Sequence, residues 1–108
     1  MARRRKVIWT LQAQAMLDEA IRYISEDSLP AAQRMLEHAL ETASSLAALS
    51  ERGRIVPELE IPTIREVFVR RYRLIYEVHE SKIEVLAFLH GARDFAKWHS
   101  QKEEGENS

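Results

Sequence analysis

The sequence predicts an α+β fold: an N-terminal strand and a helix hairpin packed on a small antiparallel sheet, in the order β-α-α-β-β-β, with a short C-terminal helical segment. Two observations carry this. Residues 10–24 and 28–49 space their apolar side chains at the helical period, and residues 64–69, 72–79 and 82–90 are three β-rich runs separated by two residues each. A third bounds the answer, because 108 residues supply one core and not two. Residues 1–100 are read as a single domain and residues 101–108 as a disordered acidic tail, with one Lys, three Glu and no apolar anchor.

Each element has its own signal. Residues 6–10 form a short strand candidate, and from Thr10 onward Ala13, Leu17, Ala20, Ile21 and Ile24 make one apolar face. Asp27, Ser28 and Pro30 mark a stop and a restart, since a Ser cap followed by Pro in the first turn sacrifices no intrahelical hydrogen bond. The second helix, to about residue 49, carries an Ala-rich stripe of Ala32, Leu36, Ala39, Leu40, Ala43, Leu46 and Ala47 that allows close packing, and Gly53 fits just past its end. Residues 51–63, with Pro57 and Pro62, read as an extended connector.

Composition removes several function classes. With no cysteine there is no disulfide framework, thiolate cluster or thiol nucleophile, a usage that suits a reducing cytoplasm. Arg3 to Lys6 imitate the charged start of a signal peptide, but Thr10, Gln12 and Gln14 interrupt the apolar run that would have to follow, so neither export nor a membrane span is expected. The net charge of −1 hides an uneven distribution: residues 7–51 hold two Arg against seven acidic residues, and residues 52–73 hold six Arg against three Glu. A local basic surface follows. His38, His79, His90 and His99 show no zinc spacing, so neither a metal nor a cofactor is expected. Gly-rich phosphate loops, nucleophile elbows and His-Glu-x-x-His are absent, which leaves nucleotide hydrolysis, serine hydrolase and zinc protease chemistry without support.

Setting the strands in register locates a candidate site. With Glu80-Ser81 and Arg70-Arg71 as turns, Tyr72 faces Leu89, Leu74 faces Ala87, Tyr76 faces Val85 and Val78 faces Ile83, an apolar face for the helices. The other face then shows rows of Phe68, Arg73, Phe88; Glu66, Ile75, Leu86; and Ile64, Glu77, Glu84. An arginine between two phenylalanines, with Arg71 and His90 beside it and Arg93 beyond Gly91, reads as an apolar binding patch with a cationic centre.

Tyr72-Arg73-Leu74-Ile75-Tyr76, with His90-Gly91-Ala92-Arg93-Asp94-Phe95 after the last strand and Gly53-Arg54-x-x-Pro57-Glu58 upstream, resembles the RelE/ParE superfamily of bacterial toxins over about residues 6–99. The resemblance implies the toxin of a type II toxin-antitoxin module, acting in plasmid stabilisation or stress response and held inactive in a hetero-oligomer with a cognate antitoxin. RelE-like members cut mRNA in the ribosome, which needs a base, an acid and cations around the developing charge. Arg73, Arg93 and His99 match part of that set, whereas the first meander strand presents Ile64, Glu66 and Phe68 where cations belong. The residues therefore favour a ParE-like, non-enzymatic poison of DNA gyrase, with a ribosome-dependent endoribonuclease as the alternative and a non-toxic interaction domain as a third reading.

The binding residues expected are Phe68, Arg71, Arg73, Ile75, Leu86, Phe88, His90 and Arg93, and Phe88→Asp is expected to weaken antitoxin binding while the monomer stays folded. Plainer roles stand beside these. Arg73 would equally serve as a solvated sheet arginine or as an internal salt bridge to Glu66 or Glu77, and Tyr72, Tyr76, Phe95 and Trp98 read as packed core.

Overall fold

Thr10 turns the chain from β1 (Lys6–Trp9) into α1 (Leu11–Ser25), its hydroxyl accepting from the Ala13 amide at 3.0 Å. The structure, a computed structural model, describes residues 4–107, with side chains described at all of these except 92, 93 and 102–107. Ser28 caps α2 (Leu29–Ser45) in the same way through Ala31, with Pro30 in the first turn. The two helices pack on each other, with Ala13 and Ala20 of α1 and Ala39 and Ala43 of α2 in one buried cluster. α2 ends before residue 49, where the Ser45 hydroxyl folds back on the Thr42 carbonyl at 2.6 Å. Its buried face is turned relative to the expected stripe: Met35 and Thr42 point inward and Leu40 outward.

The connector forms a two-residue strand, β2 (Arg54–Ile55), and two turns, followed by β3 (Ile64–Val69), β4 (Tyr72–Val78) and β5 (Lys82–His90). The sheet order is β1-β5-β4-β3-β2, antiparallel throughout except that β1 lies parallel to β5. Both predicted two-residue turns are present, and Arg70 takes the left-handed conformation (φ 55°) that a tight hairpin turn demands.

One feature of the register departs from the expected one. Tyr76 faces Val85 and Val78 faces Ile83, but a bulge between Ile75 and Tyr76 inserts Leu86, after which Leu74 faces Phe88 and Tyr72 faces His90. A one-residue slip inverts every later side chain. Phe88 therefore turns toward the helices and stacks on Tyr72 at 4.7 Å, while Leu89 takes the row position expected for Phe88.

The sheet is buried on both sides. Beneath the helices lies one core, including Leu17, Met35, Leu46, Val67, Leu74, Tyr76, Val85 and Phe88. On the opposite face Ile75, Leu86, Ala87 and Leu89 are covered by Val56 of the connector and by Phe95 and Trp98 of α3 (Gly91–Asn107). That face, expected to be open, is a second core. α3 begins at Gly91 (φ 81°), with the Asp94 carboxylate accepting from the His90 amide at 3.3 Å. It continues to Asn107, so residues 101–107 are helical rather than frayed. Lys and Glu are good helix formers, which the absence of apolar anchors does not offset.

Candidate functional site

The cationic centre predicted at Arg73 exists, but it is buried and paired. Its Nε donates to Glu66 at 2.5 Å, and its two terminal nitrogens donate to the two oxygens of Glu58 at 2.8 and 2.7 Å. The other Glu66 oxygen accepts from Arg54 Nε at 2.7 Å. Glu66 is fully buried and Arg73 nearly so, whereas Glu58 and Arg54 sit at the rim. Two carboxylates and two guanidiniums thus form one continuous chain, Glu58–Arg73–Glu66–Arg54, of zero formal charge. Each guanidinium also meets an aromatic face: Arg73 lies over the Phe95 ring at 4.9 Å and Arg54 over Phe68 at 5.3 Å.

The connector delivers half of this chain. Gly53 lies so close to β3 that a Cβ there would stand 2.4 Å from the Glu66 carbonyl oxygen and 2.9 Å from the Tyr76 hydroxyl. The Gly53 amide donates to that hydroxyl at 2.9 Å, and its carbonyl accepts from Arg65. Gly53 is therefore a point of close backbone approach and not the helix terminator its position suggested. Beyond it, Val56 is buried and a turn through Pro57 holds Glu58 over Arg73. Hydrogen bonding to Arg73 holds the Glu58 carboxyl below its ordinary range, and the same contact raises Arg73 above its own. Burial raises both Tyr72 and Tyr76.

The remaining predicted residues separate. Ile75, Leu86 and Phe88 are buried, in the second core for the first two and in the helix-side core for the third, so none offers a surface to a partner. Phe68 (54% exposed) stays open beside Arg54, and Arg71 is exposed at the hairpin tip. His90 is exposed at the far end of β5, its ring 5.0 Å from Tyr72. His99 stacks on Phe95 at 5.8 Å, and so shares that ring with Arg73. The side chain of Arg93 lies outside the described residues, as do residues 1–3 of the basic N-terminus.

Two features escaped the sequence reading. Glu58 and Arg54 are partners of the central pair, a role hinted at by their opposite charges around Pro57. The second is a groove of about 570 Å³ between α1 and α3, where Met16 and Tyr23 face Tyr72, His90, Lys97 and Trp98. The groove joins ends of the chain that no local pattern connects.

The profile of the ParE toxin of type II toxin-antitoxin systems, parDE, matches residues 7–95. This chain belongs to the ParE toxin family. Within the wider RelE/ParE superfamily it is 38% identical over 89 residues to "Toxin RelE2" of Caulobacter vibrioides, covering 82% of this chain and 97% of that protein. A solved structure titled "Chromosomal ParDE TA system from P. aeruginosa" superposes with a TM-score of 0.65 over 80% of this chain and 95% of the other. At 20% identity that likeness concerns the fold. As a member of the ParE family the chain is the toxin of a type II module, and the segment that carries the Glu58–Arg73–Glu66–Arg54 chain lies within the matched region. Among the described residues no helix is long and apolar enough to cross a membrane.

Proposed function

We propose that this ParE-family toxin acts in the cytoplasm as a non-enzymatic poison of DNA gyrase, neutralised by a cognate antitoxin with which it forms a hetero-oligomer. The observation that carries the choice of target is the pairing of Arg73. A cleavage site must bring uncompensated positive charge to a phosphodiester as negative charge develops. Here every nitrogen of the guanidinium donates to a carboxylate, and the strand beside it adds Glu66 and Phe68. A phosphate approaching Arg73 would meet Glu58 first. The antitoxin, for its part, finds its apolar footing where the toxin still exposes some, at Phe68 and along the groove between α1 and α3 with Tyr23 and His90.

Purified toxin should slow supercoiling by gyrase, or trap cleaved DNA on it, in the absence of ribosomes, and translating ribosomes should yield no cut mRNA. Codon-dependent cuts with an inert gyrase reaction would reverse the assignment and make Arg73, Arg93 and His99 catalytic. The name of the Caulobacter relative makes that comparison worth running first.

A further inference from the structure

Away from the Arg73 network, at the opposite end of the same sheet face, Glu77 and Glu84 stand directly across from each other on β4 and β5. Like charges in that position destabilise a strand pair. Among the described residues neither is paired with a Lys or Arg; the partner of both is His79, whose Nε2 lies 3.2 Å from Glu84 and 3.7 Å from Glu77. One ligand atom from each of the three falls within 4.8 Å of the other two. All three side chains are half-buried, and the His79 backbone is held on both sides: its amide donates to the Lys82 carbonyl at 2.9 Å and its carbonyl accepts from Arg5 Nε at 2.9 Å.

We propose that Glu77, His79 and Glu84 form a three-ligand site for a divalent transition metal of the zinc type. Donors held 2.0–2.2 Å from a tetrahedral ion lie roughly 3.3–3.6 Å from one another, and the imidazole distances of 3.2 and 3.7 Å fall beside that range. An imidazole with two carboxylates suits zinc, cobalt or nickel, whereas calcium and magnesium prefer oxygen ligands throughout. The ion would remove the repulsion between the facing carboxylates and tie the ends of β4 and β5 together. The sequence hides this site because its ligands come from both sides of the Glu80-Ser81 turn and follow no zinc spacing.

The test is calorimetric titration of the chelator-treated full chain with zinc chloride, repeated on His79→Ala and Glu84→Gln, with His38→Ala as a control on α2. One-to-one binding that raises the melting temperature, weakened at least about tenfold in the first two variants and unchanged in the third, supports the site. Cobalt should give tetrahedral visible bands with the wild type and lose them in Glu84→Gln, a near-isosteric change whose circular dichroism should match the wild type. Absence of saturable binding up to millimolar zinc overturns the proposal. Equal binding by wild type, His79→Ala and Glu84→Gln overturns it too, since the ion would then sit elsewhere.

Discussion

Glu66 is a carboxylate with no exposed side-chain surface, and its burial is tolerable only because Arg73 and Arg54 each hold one of its oxygens. Removing one member of a buried pair leaves the other charge uncompensated, at a cost of roughly 3–5 kcal/mol. Arg73→Ala should therefore lower the urea midpoint sharply. Arg73→Met combined with Glu66→Leu should recover most of the loss, because no buried charge is then left uncompensated and Glu58 and Arg54, which lose these partners, sit at the solvated rim. A single variant of near wild-type stability would show that Arg73 is not the clamp described. Phe88 is the residue whose reading changes most. Only 3% exposed and stacked on Tyr72, it is core, so Phe88→Asp should unfold the monomer rather than weaken a surface contact. Losing a buried phenylalanine alone costs about 3–5 kcal/mol, and circular dichroism of the purified variant reads the outcome.

Among the elements, β2 is only two residues long, and its close approach to β3 depends on Gly53. Gly53→Ala forces the backbone of β2 away from Glu66 and should cost about 1–3 kcal/mol. The local consequence is more diagnostic than the global one. Amide exchange in residues 54–60 should accelerate more than exchange in β4, as the Tyr76 contact and the Glu58 bridge loosen together. Uniform acceleration would mean that the connector is not an independent unit. The bulge on β5 works at the same scale: by adding Leu86 it gives one face both Leu86 and Ala87 and sends Phe88 to the other, so that two cores share one strand.

For the whole molecule, the pH limbs of stability follow from the direction of the shifts. Arg73 depresses the Glu58 carboxyl in the folded state, so its contribution is present above the ordinary value of 4.5 and is lost as pH falls through the lower folded value. Glu58→Gln should flatten the acid limb of a denaturation profile below that pH. Tyr76 shifts the other way: burial raises its phenol, so its contribution is complete below the ordinary value of 10 and lost as pH rises through the folded one. Stability should fall above pH 10 with the appearance of phenolate absorbance, and Tyr76→Phe should remove part of that slope. An acid limb identical in Glu58→Gln and wild type would place the acid-sensitive group elsewhere.

Much of this architecture is determined by the sequence alone. Thr10 and Ser28 begin helices because their hydroxyls satisfy free amides, and the two-residue gaps at Arg70-Arg71 and Glu80-Ser81 leave no room for anything but hairpins. Tyr72, Tyr76, Phe95 and Trp98 belong to buried clusters or pack against them, as their spacing implied. These are local rules, decided within a few residues. What tertiary structure decided is non-local. Whether β5 keeps register or bulges at Leu86 depends on two cores competing for its side chains, and no alternation pattern records that competition. Whether Arg73 is a free cation or a clamped one depends on Glu58, which Gly53 brings to it from across a turn. A side chain's chemistry is written at its own position, but the charge it presents is set by the partners that folding brings to it.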